Sequence, residues 1–247
     1  PGPQTLTGAL RTWLLEQSGC DFARLGEAMR AGGSFDAALV EGQPADARFV
    51  SELSIRGPWI ARRTSGAAGA IEPLVVVPAT LTKEDEAGAS LGRLDPLDPS
   101  TRLPGWNRDN VLPLWRRSRS PAKRATGFLR LSGLGTFLAG GVPEKTEIEC
   151  EANLFERDHR TGIGIDPRAG STQEGLIYGV ALLALRPGIG FYAEVDGPAA
   201  LLARFSDQAV PLAFGGERRH CAMSLAPRVA WPEPTLAAGD RTIVLAT

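Results

Sequence analysis

Strand, helix and strand with a hairpin alongside is the order of roughly the last hundred residues, and it predicts an α+β fold of ferredoxin-like grammar. Two further observations support that class. Apolar residues between Leu6 and Met29 recur at helical spacing, and the middle of the chain is cut by prolines into short extended pieces. The expectation is two ferredoxin-like units with long irregular insertions, one over residues 1–130 and one over 131–247.

In chain order, Thr5 is placed to cap a first helix whose Leu6, Leu10, Trp13 and Leu14 fall at helical spacing, with Ser18-Gly19 as its stop. A second helix is expected over about Phe22–Met29, with Phe22, Leu25 and Met29 on one face and Gly32-Gly33 ending it. From Gly57 to Arg124 stand Pro58, Pro73, Pro78, Pro96, Pro99, Pro104, Pro113 and Pro121, so short strands such as Pro73–Val77 alternate with long excursions. Gly127–Gly141 reads as a short helix with Leu131, Leu134 and Leu138 on a face, a bridge between two halves. Ile148–Phe155 alternates as a strand does. Gly175–Leu185 and Ile189–Val195 flank an Arg186-Pro187-Gly188 turn and read as a hairpin. Ala199–Phe205 is a short helix with Leu201, Leu202 and Phe205 inward. A glycine loop leads from there to a strand over about His220–Leu225, and Ile243–Leu245 supplies one more. No repeat of roughly 20–50 residues is visible.

A chain of 247 residues can bury a substantial core. No apolar run reaches the length of a membrane span, and no secretory signal is visible. Cys20, Cys150 and Cys221 form no C-x-x-C pair, give no zinc spacing with the two histidines, and are odd in number. A reducing, cytoplasmic setting is expected, with no metal and no cofactor. The sequence opens at Pro1 rather than methionine and enters a helix at once, so residues upstream of Pro1 are expected.

The net charge of −1 conceals an uneven distribution. Arg102, Arg108, Arg116, Arg117, Arg119, Lys123, Arg124 and Arg130 stand against Asp109 alone, a net +7 interleaved with Trp106, Trp115 and Phe128. Glu144–Glu156 is mostly acidic. A local basic patch is enough for a nucleic-acid partner. The excess of 24 arginines over three lysines fits a GC-rich genome as well as it fits RNA binding.

No P-loop, dinucleotide fingerprint, HExxH or nucleophile elbow is present. The most informative run is Phe214-Gly215-Gly216-Glu217-Arg218-Arg219-His220. Adjacent glycines let the backbone turn through positive φ and approach a ligand, and guanidinium groups bind phosphate bidentately. A plain turn with a charged exit has the same composition. His159 and His220 are the general-base candidates near neutrality. Beside arginines they have three readings open: cleavage of RNA by 2′-hydroxyl attack, contact with ribose and phosphate, or an ordinary surface position. Arg157–Asp166 leads through Ser171 and Thr172 to Glu174–Tyr178, either the lining of a groove for single-stranded RNA or a hairpin with a solvated loop. Arg116-Arg117-Ser118-Arg119 beside Trp115 allows backbone binding with stacking, or is a solvated face. The helix start at Thr5-Leu6-Thr7-Gly8, with Arg11 one turn on, offers amides and a dipole to an anion.

Together these segments resemble a known family. Pro3-Gln4-Thr5-Leu6-Thr7-Gly8-Ala9-Leu10-Arg11-Thr12 resembles the loop and first helix of RAMP proteins. Ile55-Arg56-Gly57-Pro58, Leu112-Pro113-Leu114-Trp115, Gly127–Leu134 with Phe137-Leu138-Ala139-Gly140, Arg160–Asp166, Glu174–Tyr178 and Gly215–Arg219 follow in family order. The set is similar to subunit three of the Cmr complex, the type III-B CRISPR effector. The resemblance implies a non-catalytic subunit that caps the 5′ tag of the guide RNA (crRNA) and contacts the large Palm-domain subunit and the first RAMP backbone subunit. It also implies that Thr5, Thr7, Arg11, His159, Arg160, Thr161, Gly215, Gly216, Glu217, Arg218 and Arg219 face the tag. The strand that opens the family's fold would precede Pro1. Three other readings remain: the equivalent subunit of a type III-D complex, a metal-independent RAMP endoribonuclease trimming precursor guide RNA, and an assembly subunit with little RNA affinity of its own.

Overall fold

A computed structural model describes residues 2–40, 42–64, 70–84, 90–98, 100–101, 105, 111–117, 121–166, 168–205, 208–215 and 219–234, apart from the side chains at 173, 174, 200 and 202. In chain order these form α1 (Pro3–Gln17), α2 (Phe22–Arg30), α3 (Phe35–Val40), β1 (Ser54–Arg63), β2 (Ile71–Val76), β3 (Leu81–Glu84), β4 (Leu91–Arg93), β5 (Asp95–Pro96), β6 (Leu114–Trp115), β7 (Ala122–Arg124) and β8 (Phe128–Leu129). There follow α4 (Leu131–Leu138), β9 (Ile148–Glu149), β10 (Phe155–Ile165), β11 (Thr172–Leu185), β12 (Ile189–Asp196), β13 (Val210–Ala213) and β14 (His220–Met223). The fold is α+β, and its paired strands are antiparallel in every hairpin and ladder whose register is described. The expected strand at Ile243–Leu245 lies outside the described residues.

Two compact units are built from separate stretches of chain: Pro1–Ile60, Thr64–Ile71 and Phe191–Val229 in the first, Ala61–Arg63, Glu72–Gly190 and Ala230–Thr247 in the second. Their composition differs from the 1–130 and 131–247 division expected above.

In the first unit, Leu14, Leu39, Ala47 and Val50 are fully buried and form the core with Leu10, Trp13, Leu201 and Leu212. α1 starts three residues earlier than its sequence suggests. Pro3 is the first helical residue and Gly2 the cap, because proline's fixed φ suits that position and the N–H it lacks would have been unpaired there. The stop is as expected. Gly19, at φ +69°, donates to Glu16 O and Cys20 N–H to Leu15 O, the paired carbonyl closure that a left-handed residue permits. Asp21 caps α2 by accepting the Arg24 N–H at 3.1 Å. Buried Gln43 fixes that corner: its Oε1 accepts from Asp21 N–H at 2.9 Å, and its Nε2 donates to Asp21 O at 3.0 Å. Of the apolar face of α2 only Leu25 is buried, while Phe22 and Met29 stay exposed.

The second unit buries Leu81, Leu129, Val77, Ala125 and Phe137 beneath α4 and two small ladders. One ladder joins β2, β8 and β9, and the other has the order β4–β3–β7. Glu149 on β9 is buried and carries the electrostatics of this unit. Its Oε1 accepts from Arg62 Nη1 at 2.8 Å and from the Arg130 guanidinium. The Arg62 hydrogen bond, reinforced by Arg130, outweighs burial and holds the carboxyl at about 2. Gly127 lies beside it at φ +116°, where a Cβ would stand 2.5 Å from Glu149 O.

The long strand β11 gives the main departure from expectation. It pairs with β10 and not with β12, which lies beside β1. The Arg186-Pro187-Gly188 turn exists, with Ile189 N–H donating to Arg186 O at 3.0 Å, but the strands it joins separate. Neither face of β11 is distinctly apolar, so its pattern does not select a partner.

Two predictions follow from the Glu149 region. Glu149→Gln should lower stability at neutral pH by about 2–3 kcal/mol, because two arginines lose their buried counter-charge. The native carboxyl pKa is depressed, so this difference is complete above the ordinary carboxylate value and vanishes as pH falls toward about 2. Urea unfolding of both proteins across that range measures it. Gly127→Ala should cost about 2 kcal/mol or more, since the left-handed φ and the fixed Glu149 carbonyl both oppose a Cβ.

Candidate nucleic-acid interface

The residues singled out by sequence fall in three places. α1 and the glycine loop belong to the first unit, where α1 packs on β13, and the β10–β11 hairpin belongs to the second.

At the start of α1 the anion-binding capacity is smaller than expected. Pro3 has no N–H, and the amides of Thr5 and Leu6 already donate to Gly2 O at 3.1 and 3.4 Å. In the first turn this leaves the Gln4 amide alone without a bond of that kind among the described residues. Thr7 and Arg11 are one turn apart on the same face, and Thr5 lies on another, because successive residues advance by about 100°. Both threonines are half-buried. The Arg11 guanidinium sits over the Phe35 ring, 5.5 Å from its centroid, and its buried Nε has no hydrogen-bond partner among the described residues.

The glycine loop is held at its base. Leu212 on β13 is buried in the first unit's core, Phe214 packs on Phe191 with ring centroids 5.7 Å apart, and Phe214 N–H donates to Arg219 O at 2.9 Å. Gly215 adopts φ +89°, the left-handed turn that the sequence predicts. A Cβ there would meet nothing within 4 Å, so the demand for glycine is conformational. Gly216, Glu217 and Arg218 lie outside the described residues. His220 opens β14, opposite Ala213.

The hairpin supplies the most complete geometry. Leu154 and Phe155 root it in the second unit: both are buried, Phe155 packs edge-on against Phe128 at 6.1 Å, and Arg186 N–H donates to Leu154 O at 2.9 Å. The ladder then runs from Phe155↔Leu185 to Ile163↔Ile177, with an irregularity before Ile165↔Thr172. Directly opposed residues share a face. One face therefore carries Arg157, His159, Thr161 and Ile163 against Leu183, Ala181, Gly179 and Ile177. The other carries Asp158, Arg160 and Gly162 against Leu182, Val180 and Tyr178. His159 and Thr161 thus stand together, and Arg160 is turned to the opposite side, where it pairs with Asp158 at 2.7 Å.

The first face has an open lane. Ala181 stands opposite His159 and Gly179 opposite Thr161, and a Cβ at Gly179 would touch nothing within 4 Å. Exposed Ile163 and Ile177 close the lane at its far end. On the second face the Tyr178 ring occupies the space over Gly162, and Leu176 that over Gly164. These glycines are seats for neighbouring side chains within a regular strand. The segment is a β-hairpin with regular register over most of its length. Ala181 and Gly179 had no signal of their own, since they matter only once the register is known. The His159 and His220 imidazoles make no hydrogen bond or ion pair among the described residues, and no group of three or more His, Cys, Asp or Glu side chains there is placed to hold a metal. No described helix is long and apolar enough to cross a membrane.

Residues 1–247 match the sequence model of a CRISPR-associated protein family, Cmr3 (Cas_Cmr3), and the chain belongs to that family. This is the family that the sequence motifs resemble. Among solved structures, a chain of a type III-B Cmr-beta complex bound to cognate target RNA and AMPPNP is similar at 14% identity and a TM-score of 0.45, over 93% of this chain and 55% of that one. A chain of type III-B Cmr-beta bound to cognate target RNA is similar at 14% identity and a TM-score of 0.33, over 72% of this chain and 64% of that one. The chain thus spans about half the length of the first. No curated protein matches the sequence.

Proposed function

We propose that this Cmr3-family chain is a non-catalytic, guide-RNA-binding subunit of a type III-B effector that caps the 5′ tag of crRNA. The observation that carries the reading is the family match over the whole chain. In this reading the chain is built on two ferredoxin-like RAMP units, works in the cytoplasm, and joins the large Palm-domain subunit to the RAMP backbone.

Three features support an RNA contact. Gly215 takes a left-handed turn and has no side chain to keep a phosphate from its backbone, and Arg218 and Arg219 follow closely in the sequence. Thr7 and Arg11 stack on one face of α1. His159 and Thr161 line a lane broad enough for a sugar or a splayed base, because their cross-strand partners are Ala181 and Gly179. Phosphate contacts set register, while unpaired bases present edges that hydroxyls and an imidazole can read. In this reading the role assigned to His159 is contact rather than turnover.

Binding of the full chain to guide RNA with its native 5′ tag, against a scrambled tag at fixed salt, tests this directly. Tag-dependent affinity with intact RNA on a denaturing gel is expected. Equal affinity for both RNAs would remove tag recognition, and metal-free cleavage would assign a nuclease. A second expectation concerns the hairpin faces. His159→Ala with Thr161→Ala should weaken tag binding by roughly tenfold, about 1.4 kcal/mol, and Arg160→Ala on the opposite face should weaken it less. Equal losses would contradict the assignment of RNA to one face.

A further inference from the structure

Residues 111–117 in the second unit have an arrangement that tag binding does not use. Val111, Leu112, Leu114 and Trp115 are all exposed, Trp115 by 52%. β6 pairs with β5, placing Trp115 opposite Asp95. The next side chain turns inward: Arg116 donates to Thr82 Oγ1 at 2.7 Å, pairs with Glu84, and occupies the space that a side chain at Gly92 would fill. Arg116 is therefore a peg that fixes the segment on the β4–β3–β7 sheet, and it is lost to any ligand. Side chains alternate along an extended backbone. With Arg116 directed at the sheet, Trp115 and Arg117 are directed away from it, and both are exposed. On β7, exposed Arg124 stands opposite Thr82, the residue that Arg116 bonds.

Charge selects the class of partner. Residues 111–117 and 121–130 contain Arg116, Arg117, Lys123, Arg124 and Arg130 and no acid. Two carboxylates beside the segment are engaged, Glu84 by Arg116 and Asp95 by Arg93. An indole with guanidiniums beside it matches a chain of phosphates carrying flat bases: the base stacks on the ring and the arginines neutralise the backbone.

We infer that Trp115, Arg117 and Arg124 form a sequence-independent site for single-stranded RNA, separate from the tag contacts, with a base stacked on Trp115 and flanking phosphates on the two arginines. The site does not depend on tag recognition, so a probe without a tag isolates it. Dodecauridine, titrated into the full chain and followed by fluorescence anisotropy, is that probe. Trp115→Leu should weaken binding about tenfold and Trp115→Phe much less, since Phe keeps a face for stacking. Replacing Arg117 and Arg124 by Ala should flatten the slope of log affinity against log salt by about 1.4. Unchanged unfolding midpoints would show that the exposed position tolerates these changes, and the Leu-against-Phe contrast reads stacking even if both shift together. Equal binding by the Leu and Phe variants, or an unchanged salt slope, would overturn the proposal and assign the exposed patch to a protein partner.

Discussion

A two-stranded antiparallel ribbon cannot cover its own faces, and that constraint shapes most of what this chain presents to a ligand. β10 and β11 pair with each other and with no further strand among the described residues. Such a ribbon is marginal alone in water. Here it is held by its root, where Leu154 and Phe155 are buried and Arg186 closes the ladder onto Leu154. Beyond the root, isoleucines stand in solvent, Ile177 by 71%. The two faces are then free to differ. One is filled by Tyr178 and Leu176 folding over glycines, and the other keeps the lane beside His159 and Thr161 open.

The root holds because the unit beneath it is held. Glu149 draws Arg62 and Arg130 to one carboxylate oxygen, and the arginines arrive from β1 and from the residue capping α4. Gly127 gives way to the Glu149 carbonyl, and Gly133 in α4 makes room for Glu147, where a Cβ would come within 2.8 Å of its side chain. The same economy appears at Gly92, whose missing side chain admits the Arg116 peg. In each case a glycine serves an approaching side chain or carbonyl, and only Gly127 among these three also needs a positive φ.

Much of this was legible in the residues, in proportion to how local the physics is. The Ser18-Gly19 stop, α4 and the left-handed Gly215 each depend on a few neighbouring positions. Reading Thr5 as the cap of α1 overstated the free amides there, since Pro3 already opens the helix. Strand pairing was not legible. β11 shows apolar residues on both faces, and the glycines in β10 resemble a loop until Tyr178 and Leu176 are seen lying over them. For the same reason His159, Arg160 and Thr161 read as one cluster in sequence, while period-two geometry divides them. The basic run at Arg116 and Arg117 looked uniform, yet Glu84 and Thr82, more than thirty positions away, take one member out of solvent.

The central claim is that RNA lies along the His159 face of the ribbon. Photo-crosslinking the full chain to guide RNA carrying 4-thiouridine in its tag, with the adducts mapped by peptide mass, tests it most directly. The account predicts adducts at Arg157, His159, Thr161 or Ile163 and at their partners Ile177, Gly179, Ala181 and Leu183, together with the glycine loop. Retained binding with adducts confined to the Arg160 and Tyr178 face, or absent from the ribbon altogether, would contradict it.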